Sequence, residues 1–452
     1  MRMKNKLTDN IVASYILLVL LMEPITYFFP RIMPNDLAFY IINLEKLSKY
    51  ILLIIIVLIA IGIFARNIYK YTLIIYTMFI VGIIFAAISL YRGMEVYSLL
   101  AVFKNNFMIY MVFILAVSCN VNTYYKISNW FFIYAAINSI VILYQMIGMY
   151  YGFLTPLQIY SHFSIVGLDI TNSMYQYSGI YRVPGICNTS QTAGLISGIG
   201  FLIGLFKIDS GIKQNNYIFF LTIINLLGLI ASTSKSAYIC IALVLIFAFF
   251  IKIPSLKIRL TQRKLLLFFV SSLSFLFIII YFKDRFIEML LILGSDSYQT
   301  DTWFFIQNSM VSIRESYFLG HGFAVEKNIE ANIAYLSEIN LTTRGTAEIY
   351  GIPVTSEISW LYTFAQFGIA YMILTLLLFV SYFRKISRLL RYKNELAWIS
   401  FSIFVCGVFF NFHQRIIGEG NYFPWFIFFL AYPFALYRAK LKASSPSSIS
   451  FT

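Results

Sequence analysis

The sequence predicts an all-α polytopic integral membrane protein with about twelve transmembrane helices. Three observations carry this expectation. Mean hydropathy is +0.79, and 60% of the 452 residues are hydrophobic while only 12% are charged. A soluble domain cannot hide that much apolar surface, so lipid must be the solvent. Aromatic residues make up 19% of the chain, as interfacial belts of Tyr, Phe and Trp require.

A span needs roughly 20 apolar residues. Runs of about that kind occupy 11–29, 47–65, 71–90, 98–118, 129–150, 190–206, 217–231, 237–251, 265–281, 357–380, 396–411 and 422–437. The run after the basic "MRMKNKLTDN" is long enough to span, and reads as a first helix rather than a cleaved signal. With the N-terminus in the cytoplasm, alternation puts "RNIYK" (66–70), 119–128, 207–216, "KIPSLKIRLTQRK" (252–264), "RKISRLLRYK" (384–393) and the tail with Arg438, Lys440 and Lys442 inside. Nearly every basic cluster falls on that side, as the positive-inside rule demands. The net charge of +15 is thus assigned to membrane orientation and not to nucleic acid. Both termini are expected in the cytoplasm. The chain reads as a single transmembrane domain, 1–452. Its large outer loop, 282–356, lies between the ninth and tenth spans and has an acidic balance.

The cysteines at 119, 187, 240 and 406 are scattered, which implies neither a disulfide framework nor a metal site. There is no internal repeat, and the large outer loop has no counterpart in the first half. That argues against the common repeat-built transporters.

Polar residues gather on the outer side. The loop 151–189 carries His162, Asp169 and Arg182. The run 217–231 is about 15 residues, or roughly 22 Å of helix, against a hydrocarbon core near 30 Å. The tip Ser232-Thr233-Ser234-Lys235-Ser236 would then lie below the headgroups, where polar backbone needs protein or a wet cavity around it. Lys235 is either an anion site in an outward-facing cleft or a lysine whose ammonium reaches the interface. In the large loop, Trp303, Ile306, Met310, Ile313 and Tyr317 lie at steps of three and four, one face of an amphipathic helix. Thr300 or Asp301 can cap its start. "GHGF" (320–323) forms its exit: either a C-cap turn with a solvated His321, or a nest of backbone N–H groups able to approach an anion. Glu23 and Lys104 lie in the outer halves of the first and fourth spans. They either line a cleft or are structural.

Four segments together resemble the O-antigen polymerase family, within the O-antigen ligase and polymerase superfamily. "YRVPGICNTSQTAGL" (181–195) is similar to the family's Arg-x-x-Gly-x-x-Asn segment. "STSKSAYICIALVL" (232–245) is similar to its Ser- and Arg-rich start of a span, with Lys235 where Arg is usual. "YFLGHGF" (317–323) is similar to its Gly-x-Gly after an outer amphipathic helix. "TSEISWLYTFAQFGIAYMIL" (355–374) is similar to its His-Asn opening of a late span, except that Glu357-Ile358 stands where many relatives, the ligases above all, have His-Asn. The resemblance covers roughly 180–380.

It implies a GT-C-like membrane glycosyltransferase on the outer face of the bacterial cytoplasmic membrane. The donor would be a growing glycan on undecaprenyl pyrophosphate, and the acceptor a hydroxyl of a lipid-linked repeat unit. A flippase and a chain-length regulator are the implied partners. The leaving group is already activated, so neither a cofactor nor a metal is expected. Cations must stabilise the charge developing on it, and Arg182, Lys235, Arg344 and Arg415 are the outer-side candidates. A base must take the acceptor's proton, and Glu357 or His321 could do so. Two other functions compete. An O-antigen ligase is disfavoured by Glu357 in place of His. A lipid-linked oligosaccharide flippase or other transporter needs charges deep in the bundle, whereas the inner halves of these spans are almost purely apolar.

Overall fold

The computed structural model describes residues 2–28, 35–64, 70–91, 96–155, 159, 176–177, 180–181, 183–187, 189–209, 216–252, 313, 359–390, 394–411 and 422–444. These residues form a helical bundle. In chain order the elements are α1 (Arg2–Glu23), α2 (Asn35–Phe64), α3 (Lys70–Tyr91), α4 (Val96–Phe103), α5 (Tyr110–Ala116) and α6 (Val121–Tyr150). A two-residue ladder of β1 (Gln176–Tyr177) and β2 (Ile180–Tyr181) follows. Then come α7 (Ser190–Asp209), α8 (Asn216–Ala231), α9 (Lys235–Lys252), α10 (Ser359–Leu390), α11 (Glu395–Phe410), α12 (Phe423–Leu430) and α13 (Tyr432–Ser444).

Five stretches are long and apolar enough to cross a membrane: Phe39–Ile63, Thr72–Tyr91, Val121–Tyr150, Ser190–Asp209 and Gln366–Leu390. Their outward faces show which solvent they meet. On α6, Ile133, Ile137, Ile140, Tyr144 and Ile147 are exposed; on α10, Ile369, Ile373, Leu376, Val380 and Phe383. The spacing is helical, so each set is one apolar stripe turned away from the core. Water would not tolerate such stripes on several helices at once, whereas lipid does. The protein is membrane-embedded.

The helices run alternately up and down. Lys49, midway along α2, meets Met22 at the end of α1, and α2 also packs on the π-helical turn Pro24–Phe28 that follows α1. Tyr76 of α3 donates to the Ala60 carbonyl of α2. Lys207 near the end of α7 reaches Asn129 near the start of α6. Tyr382 of α10 bonds Ser400 of α11. One end of the bundle therefore gathers the starts of α1, α3, α6, α8 and α11, here called the basic end. The other, the hairpin end, gathers the starts of α7, α9, α10 and α12.

The core is built around α7. Of its apolar window 83% is buried, against 22% for the peripheral α2. The sequence of α7 explains the position: Gly194, Gly198, Gly200 and Gly204 form two small-x-x-x-small pairs. A Cβ at these glycines would strike Ser232, Ile241, Ala135 and Thr222 respectively. Small residues thus let α6, α8 and α9 approach the α7 backbone closely.

Four stretches depart from straight helices. α1 passes into a π-helical turn, Pro24–Phe28, and a second π-helical turn, Lys104–Met108, separates α4 from α5. The helix is also broken between α12 and α13, where Pro433 lacks the N–H that a continuous helix would use. In α10, Gly368 has φ 68° and ψ −174°, a conformation glycine adopts without strain. Some spans are longer than the apolar runs predict. α2 starts at Asn35 and α10 continues to Leu390, because amphipathic turns extend a helix beyond its hydrophobic stretch.

At the basic end, charged side chains find partners, and one pair is buried in the bundle. Lys207 Nζ lies 3.0 Å from Glu395 Oε1 and donates to Asn129 Oδ1 at 2.6 Å. Asp9 accepts from the Asn120 backbone N–H at 2.9 Å. Arg438 donates to Ser118 Oγ at 2.5 Å.

Candidate site at the paired helix starts

The site is built from two segments held at the hairpin end. The first is Val183–Cys187, buried throughout. Gly185 has φ +61°, the left-handed turn that glycine favours. The Cys187 N–H donates to the Pro184 carbonyl at 2.9 Å and closes the turn. Two amides of α6 clamp it. Gln145 Nε2 donates to the Gly185 carbonyl at 3.0 Å, and Gln145 Oε1 accepts from the Gly185 N–H at 2.8 Å. Asn138 Oδ1 accepts from the Ile186 N–H at 3.2 Å and from the Cys187 thiol at 3.5 Å. Asn138 Nδ2 donates onward to the Ala193 carbonyl at 3.0 Å and Ser197 Oγ at 3.1 Å, both on α7. Ser139 Oγ continues the network to Ser197 Oγ at 2.9 Å and Asn225 Oδ1 at 3.1 Å. A buried loop backbone is acceptable only when so paired.

The second segment is the tip between α8 and α9. α8 has 16 residues, or about 24 Å of helix, short of a hydrocarbon core of about 30 Å. Ser232 and Ser234 at the tip are buried, and their hydroxyls are used. Ser232 Oγ donates to the Leu229 carbonyl at 2.7 Å. Ser234 Oγ accepts from the Ala237 N–H at 3.3 Å, capping α9, and donates to the Gln191 carbonyl at 3.4 Å. Thr233 turns the chain with φ 53°. On the neighbouring helix, Thr189 Oγ1 caps α7 through the Thr192 N–H at 3.2 Å.

The starts of α7 and α9 therefore lie side by side, stitched by Ser234 and Gln191. Two helix N-termini present their positive ends together, an arrangement that favours an anion.

Of the residues singled out from sequence, Lys235 is the first residue of α9; its side chain lies outside the described residues. Arg182 also lies outside them, next in sequence to the clamped Val183. His321, Arg344, Arg415 and Glu357 lie outside them too, as does the 282–356 loop apart from Ile313. Ile313, from the apolar face of the expected amphipathic helix, is helical and buried. The residues that sequence reading missed are Asn138 and Gln145. Their signal was faint: two amides seven positions apart in an otherwise oily span.

A second polar locus lies at the π-helical turn. The Tyr110 and Tyr371 hydroxyls are 3.0 Å apart, and Tyr371 Oη donates to the Asn106 carbonyl at 3.5 Å. Among the described residues, no three His, Cys, Asp or Glu side chains are grouped to hold a metal ion. The four cysteines are free and buried.

Fold and site together define a polytopic helical membrane protein with a polar, anion-compatible corner at one end. No family model matches the sequence, and no curated protein matches it.

Proposed function

We propose that this protein is a polysaccharide polymerase of the O-antigen polymerase type. It is a glycosyltransferase that joins undecaprenyl-pyrophosphate-linked repeat units at the outer face of the bacterial cytoplasmic membrane. The supporting observation is the stitching of the α7 and α9 starts through Ser234 and Gln191. Two of the four segments that carry the family resemblance, 181–195 and 232–245, meet at that point. The donor's pyrophosphate sits against these helix starts, with Arg182 and Lys235 supplying the cations. Arg344 and Arg415 add positive charge from later outer loops. Glu357 is the base that takes the acceptor's proton, with His321 as the second candidate.

Twelve spans and two cytoplasmic termini belong to the same reading. α9 and α10 both run from the hairpin end to the basic end. An odd number of crossings between them satisfies that course, as the apolar run 265–281 provides. With the helices alternating, nearly every basic cluster belongs to one side, which sets the proposed orientation.

The test is polymerisation in vitro with a purified lipid-linked repeat unit. Arg182→Ala and Lys235→Ala are each expected to slow the reaction by about 10²–10³-fold, since one charge-assisted contact to a developing anion is worth roughly 3–4 kcal/mol of barrier. Arg182→Lys stays impaired, because ammonium cannot replace the bidentate fork. Normal-length polymer from Arg182→Ala overturns the role. In a deletion strain, a missing polymerase leaves lipid A core bearing one repeat unit. Long polymer stranded on its lipid carrier would instead mark a ligase.

A further inference from the structure

Three amines, Lys46 and Lys49 in the middle of α2 and Lys104 just past the end of α4, gather on one flank of the bundle. Lys46, Lys49 and Tyr50 share one face of α2 by their spacing of three and four. Lys49 Nζ lies 3.6 Å from Glu45 Oε1 and donates to Met22 Sδ at 2.5 Å. Lys104, which opens the π-helical turn, donates to Tyr50 Oη at 3.0 Å and sits 4.4 Å over the centre of that ring. Lys46 is exposed and within electrostatic reach of Glu45, Lys49 and Lys104.

Among the described side chains, Glu45 is the single carboxylate in this group, and it is buried against Lys49. Lys46 and Lys104 are left as excess positive charge. A thioether is a weak acceptor and a phenol takes one bond, so the amines keep donors to spare. Their place is also against the bias of the chain. The basic clusters lie in loops, where the positive-inside rule counts them, whereas these cations lie within helices. Uncompensated charge inside a span is expensive and marks a site.

The surroundings name the counter-ion. From the amines, Leu44, Leu47, Ile51, Ile54 and Leu58 run along α2, all exposed. Their steps of three and four make one stripe about 21 Å long. It turns away from the core and is open to lipid. Among the described residues α2 packs chiefly on α1 and α5.

We propose that this face binds one anionic phospholipid of the surrounding bilayer. Its phosphate lies between Lys46 and Lys104, and one acyl chain lies along the stripe. Glu45 holds Lys49 in place and does not touch the lipid. The proposal depends on membrane embedding, not on the proposed sugar transfer.

The test is native mass spectrometry of the full chain, purified in detergent with equal phosphatidylglycerol and phosphatidylcholine. The wild type retains one phosphatidylglycerol in preference. Lys46→Ala with Lys104→Ala loses that preference by about tenfold to a hundredfold, the worth of charged hydrogen bonds. Lys104→Arg keeps it. Should the double variant fail to fold, Lys46→Glu at its exposed position carries the same expectation. Equal retention of both lipids by the wild type overturns the proposal, as does a double variant that still prefers phosphatidylglycerol. Displacement by excess inorganic phosphate makes the site one for free anions and overturns the lipid assignment. Displacement by equimolar polyprenyl pyrophosphate transfers the site to the substrate and likewise overturns it.

Discussion

At the scale of single residues, Gln145 and Asn138 act through the backbone they hold. Gln145 makes both of its bonds to one residue, Gly185. Gln145→Leu keeps the volume and leaves the Gly185 N–H and carbonyl without those partners. An unmet buried group is worth about 1–3 kcal/mol in soluble proteins, and hydrogen bonds in membrane bundles average nearer 0.6 kcal/mol. Stability measured by unfolding in mixed micelles should therefore fall by about 1–2 kcal/mol. Polymerisation should fall further than stability does, because the clamped turn carries the backbone next to Arg182. Unchanged polymerisation would make the clamp purely structural. The base is decided at the same scale. Glu357→Gln keeps most hydrogen bonding but cannot accept a proton, so a loss of about 10²–10⁴-fold is expected. A helix-start role would leave the rate nearly unchanged, because a carboxylate in the first turn contributes only about 0.3–1 kcal/mol. His321→Ala in the same assay is expected to be milder; a dead His321→Ala beside an active Glu357→Gln reverses the assignment.

At the scale of elements, α7 organises the bundle because its glycines remove side chains where neighbours come closest. A Cβ at Gly204 meets Thr222. Gly204→Val should therefore be overpacked by about 1–3 kcal/mol, read as lower yield and an earlier unfolding midpoint. Replacing the exposed Ile137 on α6 by Val should leave both nearly unchanged, since it faces lipid. α7 is also pinned at its other end by Lys207 and Glu395, whose side chains are 7% and 2% exposed. Breaking a buried pair from one side costs about 3–5 kcal/mol. Lys207→Met alone should be strongly destabilising, and Lys207→Met with Glu395→Leu should recover most of the loss. No recovery in the double variant would show that the pair's bonds, Asn129 included, outweigh its desolvation.

At the scale of the whole molecule, orientation governs every functional statement. A cysteine at Asn328 should react with an impermeant maleimide from outside the cell, and one at Arg388 should not. The native background is low, because all four cysteines are buried. At Cys119, in the turn after α5, burial pushes the thiol well above its usual range, with Asp9 adding to the shift. The thiolate is the reactive form, so this site stays silent at labelling pH. Reversed labelling would move Arg182 and Lys235 to the cytoplasmic side and end the proposed reaction.

The sequence alone determined the solvent and the places of several helices. Long apolar runs can be satisfied only in lipid, and helices such as α3, α6, α7 and α8 follow those runs because a backbone in lipid must bond to itself. It also marked the tip at Ser232–Ser236 as too shallow for the membrane surface, since length times rise is a one-dimensional quantity. Breaks within spans were not legible. No residue of the π-helical turn at Lys104–Met108 announces it, and a glycine at 368 permits the kink in α10 without requiring it. The partners of buried polar groups were equally hidden. Asn138 bonds a loop and a helix some fifty positions onward, and Lys49 pairs with Glu45 while touching Met22 of another helix. Such contacts depend on which face of each helix meets which neighbour. In a chain hydrophobic on nearly every face, the stripe pattern that would announce this is absent, so close packing through the α7 glycines decided it.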